Sequence, residues 1–469
     1  MLDRKLRVGE VLSGVVADFG MNGEGIVKLG AYPVFVQFAL VGEEVKFRVT
    51  YAKRDFAFGD LIEVLSPSND RIKPVCPYYM RCGGCDMQHI KMTAQQEIKR
   101  ANLERTLHKI AGFDTDVSLP IHLNDLAYRN KLSLPFGVSA SGKVVLGFFE
   151  KMTHKVVPMK FCPLHGDWAG NVISALTDWA NSNHISVYSE IANEGVLRHA
   201  VCRMLDTLTV TIVVNGNEIP NLNSLVENLN KYFKDFTIFV SPNKEANNVI
   251  LGDTATLQYG EIRKQNLGAF SAEISPLSFL QVNNAVRDAL YDATCDNLKC
   301  VDGEVLELYS GVGLLTAQIA SRLPNSHITA VEIVAEATEN ANALISSLSL
   351  GAQVSNINAD AVNYVKDMAV KNADAENTTK DMVIKNVDCK NAVILDPPRR
   401  GCDTAVIEAI IEADIFKVVY ISCNPATLSR DIKMLLTAGY EVTYLQPFDM
   451  FPETSKLETL ICLEKTEKI

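Results

Sequence analysis

The stretch that decides the fold is Glu304-Val-Leu-Glu307-Leu-Tyr309-Ser310-Gly311-Val-Gly313-Leu-Leu-Thr316. A short apolar run meets two glycines and then helical spacing, which reads as strand, tight turn and helix. Glycines at such a turn let the backbone approach a nucleotide closely. Glu332 ends the next apolar run, 19 positions after Gly313. A carboxylate at that place usually receives ribose hydroxyls. Outward from this unit, residues from about 271 onward alternate strand and helix patterns: HITAVEIV, AEATENANALISS, NAVILDPP, TAVIEAIIEA, KVVYISC, PATLSRDIKMLLTAG and YEVTYLQPF. That alternation is the signature of a doubly wound α/β sheet.

The third glycine of a dinucleotide fingerprint is missing, because Thr316 holds its place. Nothing then calls for a pyrophosphate. S-adenosylmethionine has a ribose and no phosphate, and it fits better; a purely structural strand–helix turn is the competing reading. Asp396-Pro397-Pro398-Arg399-Arg400-Gly401 ends an apolar strand, where open α/β sheets bind ligands. Asp-Pro-Pro here resembles the stiff turn with which methyltransferases line a flat base or amide, although a capped Pro turn has the same look. Lys417–Ile421 runs straight into Ser422-Cys423-Asn424-Pro425. A cysteine leaving a strand at that edge is positioned as a nucleophile, while free cysteine is also a common core residue. The segment Asp449–Leu460 carries Glu453 and Glu458. One carboxylate near Cys423 would serve as a base; a solvated acidic turn is the alternative.

The front of the chain has a different texture. Residues 8–66 hold five short β-rich runs separated by Gly and charged turns, which suggests a small barrel of the OB type. Lys53 and Arg54 near its end are candidate phosphate contacts. A polar linker, 66–74, leads to a cysteine cluster. Residues 92–111 have helical spacing with a basic face, and 127–265 read mainly as strands. Cys76, Cys82 and Cys85, joined by Cys162-Pro163, make a set of four thiolates that suits zinc or [4Fe-4S]. The uneven spacing differs from paired zinc knuckles, and the Pro after the last cysteine resembles ferredoxin runs. Eleven cysteines in a long chain argue for metal or catalysis rather than a disulfide scaffold.

The 469 residues are 47% hydrophobic and 22% charged, enough for two to four cored domains and unlike a disordered polymer. No apolar run approaches the roughly 20 residues of a membrane-spanning helix. The opening residues lack a secretory pattern, so a soluble, cytoplasmic protein is expected. The net charge of −11 is uneven. Residues 1–160 hold 22 Lys and Arg against 17 Asp and Glu, and the remainder 23 against 39. A basic front and an acidic back suggest a polyanion-binding module joined to something else. The near-repeat KDMAVKNAD (366–374) and KDMVIKNVD (380–388) reads as a polar insertion.

Taken together, these motifs resemble the bacterial RNA uracil-C5 methyltransferase family, in its iron–sulfur, ribosomal-RNA-acting branch, over nearly the whole chain. The matching pieces are the barrel, of the TRAM type, the four cysteines, Phe279-Leu-Gln281-Val-Asn283, the Tyr309–Gly311 turn, Asp396–Arg399, Ser422–Thr427 and Glu458. The resemblance implies an OB-like TRAM barrel over 1–67, a mainly β central domain with an iron–sulfur site over 68–270, and a Rossmann-like catalytic domain over 271–469. It implies that Gln281, Tyr309, Gly311, Gly313, Glu332 and Asp396 line the S-adenosylmethionine site. Cys423 would be the nucleophile and Glu458 the proton acceptor, with Cys76, Cys82, Cys85 and Cys162 holding [4Fe-4S]. The expected substrate is 23S ribosomal RNA, with transfer RNA, an N-methyltransferase or a non-catalytic RNA-binding protein as alternatives, and the chain is expected to act as a monomer. One departure stands out. Glu453 and Lys456 replace two histidines of the family's last motif, Phe-Pro-His-Thr-x-His-Val-Glu.

Overall fold

The computed structural model describes residues 6–301, 303–366 and 391–466. All of the near-repeat except Lys366 lies outside them.

Five strands, Val11–Phe19, Glu24–Leu29, Tyr32–Gln37, Glu44–Ala52 and Ala57–Ser66, close into a barrel. Closure comes from a parallel pairing of the third strand with the fifth. Alternate residues point inward, so Val34, Val36, Val45, Phe47 and Val49 form the barrel's own core. The helix Met92–Thr106 follows and continues as one wider turn, Leu107–Ala111, which Gly112 ends at a φ of +69°. Its expected basic face is divided. Arg105 pairs with Asp18 of the barrel at 2.6 Å, while Lys99 is buried.

The middle of the chain forms a six-stranded sheet in the order Thr256–Tyr259, Phe236–Pro242, Leu208–Val214, Leu197–Met204, Lys131–Val138, Val144–Leu146. Two helices, Asp167–Ser182 and Leu222–Asn230, interrupt the expected run of strands. The first buries Val172, Ile173, Leu176, Trp179 and Ala180, a spacing of three and four that marks one helix face.

The last region is a seven-stranded sheet ordered Val354–Asn358, Ile328–Glu332, Val305–Leu308, Ala392–Leu395, Lys417–Ser422, Glu458–Lys465, Tyr440–Phe448. The first five strands run parallel, and the final hairpin joins antiparallel. The strand order reverses beside Val305–Leu308, whose neighbours are Ile328–Glu332 and Ala392–Leu395. Open α/β sheets form their ligand crevice at the carboxyl ends of strands around such a reversal. Among the described residues no helix is long and apolar enough to cross a membrane.

Candidate active site and cysteine cavity

The turn after Val305–Leu308 is built from left-handed residues: Tyr309 at φ +66°, Gly311 at +58° and Gly313 at +76°. At Gly313 the constraint is double, because a Cβ there would lie 2.8 Å from the Ala341 Cβ. Glu332 stands at the end of the next strand. Its carboxylate accepts from the backbone N–H of Gly311 at 2.9 Å and of Val334 at 2.9 Å. The turn and the carboxylate therefore fix each other. Thr316, in the place of the third glycine, donates its hydroxyl to Glu307 at 2.7 Å. Gln281 is buried, and its backbone carbonyl accepts from the Asn130 side chain at 3.0 Å, tying this loop to the middle domain. The Tyr309 phenol lies beside Cys402, and burial pushes its pKa up.

Sequence reasoning missed Glu307 as a site residue. Its carboxyl is buried near Asp396 and Glu332, and burial pushes its pKa up to about 8. The available signal was a lone acid inside the four-residue apolar strand Val305–Leu308. With Asp396 and Glu458 it adds to a set of desolvated carboxyls at the strand ends, an environment that favours a cation.

The strand Lys417–Ser422 pairs antiparallel with Glu458–Lys465, the last pair being Ser422 with Thr459. Cys423 follows Ser422 and Glu458 precedes Thr459, so both lie at the same end of the paired strands, close enough for the Glu458 charge to raise the Cys423 pKa. Asn424 then caps the helix Pro425–Thr437, accepting from the Ala426 N–H at 3.1 Å. Its amide donates to the Arg399 carbonyl at 2.9 Å, which holds the Asp396–Arg400 turn against Cys423. Burial pushes the Cys423 thiol up to about 11, the Glu458 and Asp396 charges add to this, and Arg399 opposes it. Glu458 is 2% exposed; burial and the Asp396 charge raise its pKa well above the carboxylate range. Asp396 moves the same way through burial.

Cys423 opens into a cavity of about 180 Å³. Its walls include Arg399, Lys99 and Asn102 of the helix Met92–Thr106, Lys456, and Met21 and Asn22 from a barrel hairpin. The barrel, that helix and the catalytic sheet thus enclose one space.

The segment before Glu458 is bolted in place rather than solvated. Lys99 Nζ lies 2.6 Å from Asp449 Oδ1, both side chains being fully buried, and His122 Nδ1 lies 3.1 Å from the other oxygen. Burial pushes Asp449 up, but Lys99 and His122 outweigh it and hold it below its usual value. Glu453, in one of the two family-histidine positions, is 9% exposed and accepts from Gln95 Nε2 at 3.1 Å. Burial pushes its pKa up to about 7. Asp86 accepts from the Ser455 N–H at 2.6 Å and from its hydroxyl at 2.9 Å.

Cys76, Cys82, Cys85 and Cys162 line a second, small cavity of about 40 Å³ with Tyr79, Phe148, Met159 and Leu164. Burial pushes all four thiols up, and in Cys82, Cys85 and Cys162 their neighbours' charges add to it. The sulfurs also attract donors: Gly84 N–H to Cys82 at 3.4 Å and Gln88 Nε2 to Cys85 at 3.3 Å. Two buried nitrogens beside this cavity, Arg129 Nε and His165 Nδ1, have no hydrogen-bond partner. Among the described residues no group of three or more His, Cys, Asp or Glu is placed to hold a single metal ion.

Fold and site together define a methyltransferase-type α/β enzyme carrying an RNA-binding type of barrel. The family described as tRNA (Uracil-5-)-methyltransferase matches residues 222–466, and the TRAM domain matches 5–62. A Staphylococcus epidermidis protein described as an uncharacterized RNA methyltransferase is 32% identical over 473 residues, covering 99% of each chain. A Clostridium acetobutylicum protein of the same description is 32% identical over 463 residues, covering 97% of this chain and 96% of its own. The crystal structure of Pyrococcus abyssi tRNA (uracil-54, C5)-methyltransferase in complex with S-adenosyl-L-homocysteine aligns with a TM-score of 0.74 at 25% identity. That alignment covers 96% of this chain and 99% of the other. The chain belongs to the RNA uracil-5-methyltransferase family.

Proposed function

We propose that this enzyme methylates uracil C5 in RNA from S-adenosylmethionine through a covalent bond between Cys423 and C6. The observation that carries the reading is that Cys423 and the buried Glu458 flank the Ser422–Thr459 pair at the same end of two antiparallel strands, with the Glu458 charge acting on the thiol. S-adenosylmethionine, when bound, supplies an electrophilic methyl group on a positively charged sulfur. Gln281, Tyr309, Gly311, Gly313, Glu332 and Asp396 would hold it, with Glu332 at the ribose. The desolvated carboxyls of Glu307 and Asp396 suit its positive charge.

The pyrimidine ring explains the residue types. Uracil C5 is a poor nucleophile. Addition of the Cys423 thiolate to C6 pushes an electron pair to C5 and O4 as an enolate. C5 then takes the methyl group, the electrons of the broken sulfur–methyl bond staying on the sulfur, and C5 still bears its proton. Glu458 removes that proton, the C5–C6 double bond re-forms, and the Cys423 sulfur leaves with the electrons of its bond to C6. A carboxyl with a raised pKa is the stronger base for the purpose. Arg399 opposes the negative neighbours of Cys423 and favours the thiolate. A uridine inside folded RNA reaches such a site only after leaving its stack.

Cys76, Cys82, Cys85 and Cys162 would hold [4Fe-4S]. The four thiols around one cavity suit it, and so do the unpartnered Arg129 and His165 nitrogens facing an anionic cluster. The resemblance to the iron–sulfur branch favours 23S ribosomal RNA as substrate, and a monomer acting in the cytoplasm. The likeness to the Pyrococcus abyssi enzyme supports transfer RNA as the second reading. Mapping 5-methyluridine in ribosomal and transfer RNA, with and without this protein, tests both. Loss of the mark from ribosomal RNA alone is expected. Loss from transfer RNA alone overturns the ribosomal assignment, and loss from neither overturns the activity.

A further inference from the structure

A cavity of about 810 Å³ opens in the middle domain and shares no lining residue with the one at Cys423. Its size falls within the ~300–1,000 Å³ common for ligand sites. The strand Lys131–Val138 and Phe149 contribute to its lining, together with the segments 187–191 and 247–250. Three features of this lining point the same way. First, the lining carries flat groups: the Phe149 ring stacks on the His154 imidazole with centroids 5.2 Å apart at 19°, and the Arg198 guanidinium, which donates to the Asn243 and Glu245 carbonyls, lies 4.4 Å over the Tyr188 ring. Second, the charge is one-sided. Arg81, Lys155 and Arg198 line the space, and the single lining acid, Glu190, is engaged by His154 at 2.7 Å. Lys155 also has Glu150 at 3.4 Å, an exposed pair. Third, His199 Nδ1 is buried there without a hydrogen-bond partner. Burial and the Arg198 charge push the pKa of that ring down to about 4, so it offers a neutral nitrogen to a polar edge.

Rings beside the exposed cations Arg81 and Lys155, with an unpartnered ring nitrogen, suit the bases and phosphates of a nucleotide. We propose that this cavity is a second RNA site that takes unpaired nucleotides away from the target uridine. Bases extend the Phe149–His154 stack, and phosphates face Arg81 and Lys155. Stacking of this kind is tolerant of sequence, so the site grips an unpaired segment rather than reading it. Its position also ties it to the cysteine cavity. Phe148 lines that cavity while Phe149 lines this one, and the Gly83 N–H donates to the Phe149 carbonyl at 2.9 Å. The cysteine loop therefore braces the stacking platform.

The inference rests on the enzyme's acting on RNA, and its test avoids the target chemistry. An oligoadenylate hexamer carrying one 8-azidoadenosine has no uracil to methylate. Irradiated with the full-length protein purified anaerobically, it should crosslink to peptides spanning 149–155 or 188–191. The double reversal Arg81→Glu with Lys155→Glu should weaken hexamer binding by tenfold or more, and both side chains are exposed enough for the fold to survive. Cys423→Ser should leave hexamer binding unchanged. Crosslinks confined to the barrel or to the cavity at Cys423, or full affinity in the double reversal, would overturn the proposal. So would equal competition by the same sequence in a duplex. A positive result without any uracil methylation would sink the activity and leave this site standing.

Discussion

Two sets of cysteines in this protein live in opposite surroundings. Cys76, Cys82, Cys85 and Cys162 come from loops and converge on a small space of about 40 Å³. Cys423 leaves a strand at the ligand edge of a sheet, faces about 180 Å³ of open cavity, and has two carboxyls and an arginine for neighbours. Burial raises the pKa of every one of these thiols. The meaning differs with the partners. Four thiols gathered with two unpartnered nitrogens nearby suit the proposed metal cluster. One thiol with a buried carboxyl at the same strand ends suits the proposed attack on a substrate. Shared chemistry of the side chain therefore says little, and the company it keeps decides the role.

The sharpest way to break this contrast is to remove the reactive sulfur. Cys423→Ala should abolish methyl transfer, leave iron content intact and change thermal stability little, since the thiol is half-buried at the wall of a cavity. An adduct with 5-fluorouridine RNA that persists in this variant would overturn the nucleophile assignment. Glu458→Gln comes next. Addition and methyl transfer remain open to it, but the C5 proton has no acceptor. Turnover should fall by about 10²–10⁴, the usual worth of a positioned base. A methylated protein–RNA adduct should accumulate and survive denaturing electrophoresis. Rapid turnover would move the base elsewhere, with Glu453 the first candidate.

The structural side of the contrast is tested by Cys82→Ser. Metal binding is coupled to folding, so iron should fall from about four per chain and proteolysis should open the region 76–162. Asp86 adjoins Cys85 and caps Ser455, three residues before Glu458. Activity should therefore fall as well, by less than in either active-site variant. Stoichiometric zinc without iron after anaerobic purification would reject the cluster.

Much of this was legible in the sequence where the signal is local. The strand–turn–helix at Glu304–Thr316 and the position of Glu332 follow from spacing over a few residues. The helix Asp167–Ser182 also carried its signal, an apolar stripe at 172, 173, 176, 179 and 180, inside a stretch that reads as strand-rich. Partners far apart in sequence were not legible. Lys99 looks like part of a solvated basic face, yet its mate Asp449 lies 350 positions away. Taking one of the two away would leave a buried charge unpaired, at about 3–5 kcal/mol. The place of Glu458–Lys465 between two other strands likewise depends on sheet order, which no periodicity encodes. That order brings Glu458 to the same end of the sheet as Cys423.

Glu332→Ala probes the quieter half of the catalytic sheet. It removes a carboxylate that serves both the turn and, in the proposed complex, the ribose. Binding of S-adenosylmethionine should weaken by about 1.5–3 kcal/mol, the range for hydrogen bonds to a charged group. Unchanged affinity by calorimetry would show that the ribose sits elsewhere.

The smallest effect is read from Cys423 in the free protein. A thiol with a pKa of about 11 is almost wholly protonated at neutral pH, and only the thiolate reacts with iodoacetamide. Alkylation of the peptide carrying Cys423, followed by mass spectrometry because Cys300 is also exposed, should rise about tenfold per pH unit from 7 to 10 without a plateau. The sign of the electrostatic contribution gives a further check. Glu458, once ionised, raises the Cys423 pKa, so Glu458→Gln should move the alkaline part of the curve to lower pH. A curve that levels off above about pH 9.5, as for an ordinary thiol of pKa about 8.5, would mean that Cys423 is solvated, and the contrast between the two sets of cysteines would lose its electrostatic basis.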